Sequence, residues 1–449
     1  MDKNSGWPVQ GASQLRCIGC GTVPERQSPD FYCSQCGNLL EVFYPAWQKD
    51  RTAAQACGDE LRALWGQRKN SIDPLDQSGV WRFRELLPFL KDLRSVVTLR
   101  EGNTPLYTLP RCSHSTGVDH LLAKHQGLNP TGSFKDTGMT AAISKAKEIG
   151  CKWVACASTG NTSASMAAYA SRAGMKSLVL IPDGKISSGK LSQTLEYGSL
   201  VCQLRTNFDG CLRMLNQVAK RAPVYIVNSM NPYRLEGQKT LAIEVLEQLG
   251  WQVPDHFIVP GGNLANSSAI GKALLELQGL GLVAKLPKIS IIQAEGANPL
   301  YRSMRESQGK SLVPVEPNTY ATAIRIGNPA SWKKAVDVLR KTGGTCEQVS
   351  EEEIAVAKAQ IGAEGIGCEP ASAVTLAGLY KLVAQGFVKK SETVVLVLTG
   401  NLLKDPDYTL GFHSGELFRG SAERWRNSPV VLDAELNALM RIVENQQSD

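Results

Sequence analysis

The chain lacks the features that mark several large classes of protein. Its 449 residues contain no apolar run close to the roughly 20 residues that a membrane-spanning helix needs. The first residues, MDKNSGWPVQ, contain no apolar core of a signal peptide, and no internal repeat or low-complexity tract is present. We therefore expect an untargeted, cytoplasmic protein with no membrane partner.

Blocks of basic residues are also missing. The 49 lysines and arginines and the 42 aspartates and glutamates give a formal net charge of +7, which is spread along the chain. We therefore expect no nucleic-acid partner and at most a preference for small anionic ligands. Hydrophobic residues make up 43% of the chain and charged residues 20%, as in ordinary globular proteins. The length predicts two or three domains.

Cysteine is unevenly distributed. Eight of the twelve cysteines are scattered through apolar segments, and four lie near the start in two CxxCG pairs. The glycine after each pair permits the left-handed backbone of a tight turn, so that two thiolates of each pair can point at one ion. The pattern predicts a structural Zn²⁺ site in a zinc-ribbon-like module over residues 1–45, with Cys17, Cys20, Cys33 and Cys36 as ligands.

The rest of the chain changes in pattern along its length. Residues 46–100 are polar and then contain proline and tryptophan, which predicts a helical connector wrapped on the body. From about Asp119, short β-branched runs alternate with segments of helical spacing such as 236–250 and 267–279. Runs that are apolar on both faces indicate buried parallel strands. The sequence predicts a doubly wound α/β body with strands at 153–157, 177–181, 224–228, 257–260, 289–294 and 394–398.

Ligands of open α/β sheets bind beyond the carboxyl ends of the strands, so the loops there are the candidates for a site. The loop 129–136 brings Lys135 to the start of a predicted helix. The positive potential of a helix N-terminus lowers the pKa of an amine, as a lysine needs if it is to form a Schiff base with an aldehyde. A lysine taken alone is more often a solvated surface charge, so this prediction depends on the neighbouring loops.

Four more segments follow predicted strands. The loop 158–163 offers hydroxyls, an amide and backbone donors, more than one helix cap requires, which predicts an anion or carboxylate site. The loop 260–266 has paired glycines before a helix, where backbone amides favour a phosphate. The segments 228–234 and 399–400 are expected at the same edge of one sheet. Together these loops predict binding of pyridoxal phosphate and of a phosphorylated substrate.

The order of the motifs resembles that of a known family. Residues 80–410 contain EGNTPL, NPTGSFKD, STGNTS, RLEGQKT, a GGN loop and a Thr-Gly pair, in that order. This part of the chain resembles the threonine synthases, which are fold type II pyridoxal-phosphate enzymes. The resemblance implies an α/β fold of two doubly wound domains with the cofactor between them, in a homodimer.

The resemblance also implies how the chain is divided. The large cofactor-binding domain is expected to comprise residues 101–135 and 231–427, and the small α/β domain residues 136–230. Residues 428–449 have an apolar spacing that predicts an amphipathic helix, beginning near Ser428 and packed on the body, followed by a polar tail.

Single residues take roles by motif match to the family. Lys135 is expected to form the Schiff base with the cofactor and then to carry protons, and Asn161 is expected to contact the phenolic oxygen of the cofactor. Thr399 is expected at the ring nitrogen, where a neutral hydroxyl leaves the pyridine largely unprotonated. The resemblance assigns the cofactor phosphate to Gly261, Gly262, Asn263, Leu264 and Ala265, and the substrate phosphate to Ser158, Thr162, Asn228, Ser229, Arg234 and Asn266.

The implied activity is conversion of O-phospho-L-homoserine and water to L-threonine and phosphate. A cysteate synthase and a serine/threonine dehydratase are alternatives that use the same cofactor, and the phosphate set around Arg234 disfavours the dehydratase. A zinc-ribbon module that binds nucleic acid or protein is a more distant alternative, which the lack of basic and aromatic clustering around the four cysteines disfavours. The sequence departs from the family pattern at Thr137, Ala265 and Asn401-Leu402, and the last of these leaves substrate detail open.

Overall fold

The computed structural model describes residues 13–25, 31–45, 47, 58–184, 188–418 and 421–445. Parts of the predicted zinc-ribbon-like module, of the connector and of the C-terminal tail lie outside these residues. Within the described ranges, no helix is both long enough and apolar enough to cross a bilayer.

Short, mostly apolar runs form the strands. The strands that were not predicted from the sequence are short or carry polar residues. One of them, Leu200–Leu204, lies at a sheet edge and is partly exposed. In chain order the strands are β1 (Gln14–Cys17), β2 (Leu40–Phe43), β3 (Leu106–Thr108), β4 (His120–His125), β5 (Trp153–Ala157), β6 (Lys176–Pro182), β7 (Leu200–Leu204), β8 (Val224–Ile226), β9 (His256–Pro260), β10 (Lys288–Ala294), β11 (Cys346–Val349) and β12 (Thr393–Leu398).

The strands of the described residues form three sheets. β1 and β2 are an antiparallel pair. The larger sheet has the order β11-β10-β9-β12-β4-β3, and the smaller sheet has the order β7-β6-β5-β8. Every pair in these two sheets is parallel except β3 with β4. The predicted α/β fold of two wound sheets is confirmed, and the exact domain boundaries stay a prediction.

Helices connect the strands and cover both faces of the larger sheet. They are α1 (Gly58–Arg68), α2 (Pro74–Gln77), α3 (Pro110–Thr116), α4 (Lys135–Glu148), α5 (Asn161–Arg172), α6 (Ser188–Glu196), α7 (Phe208–Arg221), α8 (Pro232–Gln238), α9 (Thr240–Gln248), α10 (Ala265–Gly279), α11 (Pro299–Ser307), α12 (Trp332–Thr342), α13 (Glu351–Ala363), α14 (Pro370–Ala384), α15 (Pro406–His413) and α16 (Leu436–Asn445). Short 3-10 helices occur at Trp81–Leu86, Leu93–Ser95, Gln126–Leu128, Glu295–Ala297, Thr322–Ile324, Leu402–Lys404 and Ser421–Trp425.

Two helices differ from the sequence-based expectation. The predicted helix 236–250 is divided at Lys239 into α8 and α9, and α8 already begins at Pro232 because Asn231 Oδ1 accepts a hydrogen bond from Tyr233 N at 3.0 Å. The C-terminal helix begins at Leu436, not near Ser428, because the residues between contain a proline and paired valines, which disfavour helix. Its apolar side chains are largely exposed, so packing on the body does not explain them.

The expectation that residues 228–234 and 399–400 lie at one sheet edge is wrong. The first segment follows β8 of the smaller sheet, and the second follows β12 of the larger sheet. The chain crosses between the sheets at the loop before α4 and returns through α8. The candidate loops are therefore brought together where the carboxyl ends of strands from two different sheets approach each other.

Candidate active site

Lys135 is the first residue of α4 and lies beside the segment that follows β12. Phe134 N donates a hydrogen bond to Thr399 O at 2.9 Å, and Asn401 N donates one to Gly132 O at 2.9 Å. These bonds fix the loop before the helix, and the amine of Lys135 lies 3.8 Å from the ring centroid of Phe134. The structure thus brings Lys135 and Thr399 into one site.

The environment of Lys135 favours its neutral amine. The side chain keeps partial exposure, but the surrounding protein desolvates the amine and, with a smaller effect from the charge of Arg234, lowers its pKa from 10.5 to about 7, while Glu369 acts in the opposite direction. The sequence suggests a helix terminus as a cause, and the structure adds burial, which the sequence did not reveal. An unprotonated amine near neutral pH is the form that attacks an aldehyde.

Glu369 joins the two residues that were predicted to contact the cofactor ring. Asn161 Nδ2 donates a hydrogen bond to Glu369 Oε2 at 3.0 Å, and Thr399 Oγ1 donates one to Glu369 Oε1 at 3.2 Å. The carboxylate is fully buried. Sequence reasoning missed Glu369, because its position before Pro370 is explained by the start of α14 alone.

A hydroxyl from the same helix fixes the position of Thr399. Ser372 Oγ accepts hydrogen bonds from Thr399 N at 2.8 Å and from Gly400 N at 3.1 Å, and it lies 3.1 Å from Thr399 Oγ1. Ser372 was not predicted from the sequence either. Only the packing of α14 beside the end of β12 brings the two residues together.

The loop predicted to hold the cofactor phosphate leads into α10. Its glycines have no room for a side chain: a Cβ on Gly261 would lie 2.7 Å from Ile291 Cγ2, and one on Gly262 would lie 3.1 Å from Ile324 Cα. Leu264 has a left-handed backbone with φ of 64°, and Ala265 is already helical, so the alanine at this position fits. The first turn of α10 presents N–H groups without intrahelical partners, as anion sites require.

Asn263 connects this loop to a residue predicted to hold the substrate. Its Nδ2 donates a hydrogen bond to Ser229 Oγ, and its Oδ1 accepts one from Ala330 N at 2.7 Å. Ser229 follows β8 of the smaller sheet, so the contact crosses between the two sheets. The predicted cofactor-phosphate and substrate-phosphate positions are therefore adjacent.

The other residues predicted to hold the substrate phosphate differ in burial and in the hydrogen bonds that their side chains already make within the protein. Arg234 is buried, its Nη1 donates to Val227 O at 3.1 Å, and burial lowers its pKa to about 10, so that it stays charged near neutral pH. Asn228 pairs both amide atoms with the backbone of Ala157, at 3.0 and 2.9 Å, which holds β8 to β5. Ser158 and Thr162 are half-buried.

Buried polar atoms without partners remain in these loops. Within the described part of the chain they include Asn161 Oδ1, Arg234 Nε, and both amide atoms of Gln238 and of Asn266. Buried polar groups of folded proteins are normally hydrogen-bonded. The donors in this set, Arg234 Nε and the amide nitrogens of Gln238 and Asn266, therefore fit a ligand with many oxygen atoms, such as pyridoxal phosphate or a phosphorylated substrate. Gln238, which lies in the RLEGQKT motif, was not singled out from the sequence.

The four predicted zinc ligands come together at one point. The Sγ atoms of Cys17, Cys20, Cys33 and Cys36 all lie within 4.8 Å of one another, with the closest pairs at 3.3 to 3.7 Å. Tetrahedral coordination at a Zn–S distance of about 2.3 Å requires sulfur atoms about 3.8 Å apart. Gly19 N and Asn38 Nδ2 donate to sulfur at 3.3 and 3.2 Å. Hydrogen bonds from Asn38 lower the pKa of Cys36 to about 6, and the arrangement fits a zinc ion.

Comparisons with known proteins agree with this site. Residues 97–400 match the family described as "Pyridoxal-phosphate dependent enzyme". A threonine synthase of Methanocaldococcus jannaschii is 43% identical over 96% of this chain and 99% of its own length. A threonine synthase of Synechocystis sp. is 49% identical over 74% of this chain and 86% of its own length.

Solved structures show the same fold at lower identity. Threonine synthase from Escherichia coli superposes with a TM-score of 0.66 at 17% identity, over 97% of this chain and 100% of that chain. Threonine deaminase isoform 2 from Solanum lycopersicum superposes with a TM-score of 0.57 at 17% identity, over 87% of this chain and 89% of that chain. The chain belongs to the pyridoxal-phosphate-dependent enzymes and, among them, to the threonine synthase family.

Proposed function

We propose that the protein uses pyridoxal 5'-phosphate to convert O-phospho-L-homoserine and water into L-threonine and inorganic phosphate. The observation that carries this proposal is that the amine of Lys135 and the buried guanidinium of Arg234 lie in one site, close enough for the charge of Arg234 to lower the pKa of Lys135. The pKa of Lys135 is low enough for covalent attachment of the cofactor, and Arg234 keeps its charge. A fixed guanidinium cation suits a substrate that carries a phosphate.

Different residues of the site have different roles in the reaction. Bound pyridoxal phosphate supplies an electron sink for negative charge that develops on the substrate. The amine of Lys135, with a pKa near neutrality, is suited to remove and return protons at Cα and Cβ of the substrate. Arg234 holds the γ-phosphate, and Ser158, Thr162, Asn228, Ser229 and Asn266 complete its surroundings.

The cofactor is oriented by residues from both sheets. Gly261, Gly262, Asn263, Leu264 and Ala265 hold its phosphate at the start of α10. Asn161 would contact its phenolic oxygen and Thr399 its ring nitrogen, and Glu369 holds both side chains through the hydrogen bonds that it accepts from them. Which of several competing reactions the substrate undergoes then depends on how the substrate is positioned.

The experiment that tests this activity is product analysis. Purified enzyme loaded with cofactor is mixed with O-phospho-L-homoserine, and phosphate and amino acids are quantified together. Equal amounts of phosphate and L-threonine are expected. A 2-oxo acid formed from unphosphorylated threonine or serine would instead indicate a dehydratase, and cysteate formed from phosphoserine and sulfite would indicate a cysteate synthase.

We further propose a structural Zn²⁺ bound by Cys17, Cys20, Cys33 and Cys36. The convergence of the four sulfur atoms supports this assignment. Metal analysis of the purified protein should give about one zinc per chain, and Cys36→Ser should lower that content sharply. A protein free of zinc, or a variant with unchanged content, would rule the site out.

We also propose a cytoplasmic homodimer with a large domain of residues 101–135 and 231–427 and a small domain of residues 136–230. The exposed apolar side chains of α16, among them Leu436 and Leu439, support association. Light scattering coupled to gel filtration measures the mass of the particle, and a monomer would contradict the proposal.

A further inference from the structure

A buried hydrogen bond joins the N-terminal module, defined as residues 13–25 and 31–45, to the helix that carries Arg234. Tyr44 directly follows β2, and its hydroxyl donates to Glu236 Oε2 at 2.6 Å. Both side chains are buried. Glu236 lies in α8 two residues after Arg234, and residues two apart on a helix project from roughly opposite sides. One side of α8 therefore faces the module, and the other carries the candidate phosphate ligand.

Two lysines hold Glu236 as well, one between α8 and α9 and one in α10. Lys239 Nζ donates to Glu236 Oε2 at 2.6 Å and to Glu276 Oε2 at 2.8 Å. Lys272 Nζ donates to Glu236 Oε1, and it also donates to the backbone oxygen of Val42 in β2 at 2.6 Å. A buried carboxylate is costly unless charges and hydrogen bonds compensate it. The position of α8 is thus linked to that of β2 through one carboxylate and its donors.

The other side of α8 contacts α4 through backbone. A Cβ on Gly237 would lie 1.8 Å from Thr137 O, and one on Gly138 would lie 2.9 Å from Arg234 O. The two helices are thus in direct backbone contact at this point. Because Lys135 begins α4, any movement of α8 changes the position of Arg234 relative to Lys135.

The module makes a second contact near the same site. The ring of Phe31 packs edge-on against Tyr225, with centroids 5.6 Å apart. Tyr225 lies in β8, the strand that leads to Asn228 and Ser229. The module therefore supports two of the segments to which the substrate phosphate is assigned, the one after β8 and α8.

We propose that the N-terminal module is a positioning element for the phosphate of the substrate. Through Tyr44 and Glu236 it holds α8 against α4, which presents Arg234 to the phosphate. The inference rests on the proposed function, since that function assigns the phosphate to Arg234. In so small a module a bound metal contributes directly to the free energy of folding, so loss of a metal ligand is expected to release α8.

The test begins with Tyr44→Phe in the full-length enzyme loaded with cofactor. The variant lacks the hydrogen bond to the charged Glu236, which positions α8. We expect it to bind inorganic phosphate about three- to tenfold more weakly, as measured by calorimetry. The KM for O-phospho-L-homoserine should rise by a similar factor, while kcat and the visible absorbance stay unchanged. A tyrosine with only a structural role would lower the melting temperature and leave phosphate affinity as it was.

The matched control removes a comparable hydroxyl elsewhere. Tyr380 OH lies 2.7 Å from Ser115 Oγ and 3.2 Å from Gln360 Oε1. Ser115 and Gln360 lie on α3 and α13, which contribute no residue to the proposed site. Tyr380 itself lies about two turns of α14 beyond Ser372. Tyr380→Phe should therefore leave phosphate affinity unchanged. An equal loss of affinity in both variants would overturn the inference.

A metal-ligand variant extends the test to the module itself. Cys36→Ser is expected to weaken phosphate binding at least as much as Tyr44→Phe does, and addition of Tyr44→Phe to Cys36→Ser should have little further effect, because both act through one contact. Additive effects would contradict the inference.

If the unsubstituted enzyme releases no phosphate from O-phospho-L-homoserine, the proposed function and this inference fail together. If it does, and Tyr44→Phe binds phosphate normally, only the inference fails.

Discussion

Asn161 donates a hydrogen bond of 3.0 Å to the carboxylate of Glu369, 208 residues further along the chain. Asn161 begins the helix after β5 of the smaller sheet, and Glu369 precedes α14, which packs on the larger sheet. Since Glu369 also accepts a hydrogen bond from Thr399, one buried carboxylate spans the two sheets at the place assigned to the cofactor ring. The relative position of the sheets and the geometry of the site are therefore coupled.

Glu369 and Arg234 are expected to change the pKa of Lys135 in opposite directions. A carboxylate stabilises the ammonium and a guanidinium destabilises it, so Glu369→Gln should lower the pKa of Lys135 below about 7 and Arg234→Gln should raise it. The rate at which cofactor-free enzyme takes up pyridoxal phosphate should rise with pH as the amine loses its proton. The midpoint of that rise gives the pKa, and midpoints that move in the same direction would contradict the assignment.

Lys135→Ala is expected to abolish covalent binding of the cofactor and to reduce turnover by at least about a thousandfold, because the variant lacks the amine assigned to attach the cofactor and to move protons. The visible absorbance of the enzyme and borohydride trapping followed by peptide mass analysis report the loss directly. Lys147→Ala is the control, since Lys147 is an exposed lysine of the same helix. A trapped adduct on another lysine in the variant would disprove the role given to Lys135.

Gly237→Ala is expected to lower the free energy of unfolding by about 1–3 kcal/mol or more, because the added methyl would overlap the carbonyl oxygen of Thr137. Urea denaturation measures the change. Gly362→Ala is a suitable control: Gly362 is an exposed helical glycine, and a methyl group added there would meet no neighbouring atom within 4 Å. Alanine at this position should stabilise α13 by about 0.5–1 kcal/mol. Equal stability of the two variants would show that α8 and α4 are not in backbone contact.

Lys135 should also make the stability of the cofactor-free enzyme depend on pH. Its pKa is about 7 in the folded protein and near 10.5 in the unfolded chain, so the unfolded chain binds more protons between these values and stability rises with pH in that window. Lys135→Met lacks this titration. The variant should be the more stable protein at pH 7, and its advantage should shrink as the pH approaches 10. A constant difference across the range would contradict the lowered pKa.

Local motifs could be interpreted well from the sequence. The two CxxCG pairs, the lysine loop before α4 and the glycine loop before α10 each lie within one short stretch of chain, so backbone preference and side-chain chemistry together predict what they do. The buried β-branched runs predicted six strands of the two large sheets for the same reason.

Contacts between distant segments depended on tertiary packing. Glu369 meets Asn161 and Thr399 only because α14 packs beside the end of β12, and Tyr44 meets Glu236 across 192 residues of sequence. Tertiary packing also determines which sheet edge each loop reaches, since residues 228–234 and 399–400 follow strands of different sheets. A motif constrains the few residues around it, whereas the distance between two motifs is set by how whole helices and sheets pack, which no single stretch of chain encodes.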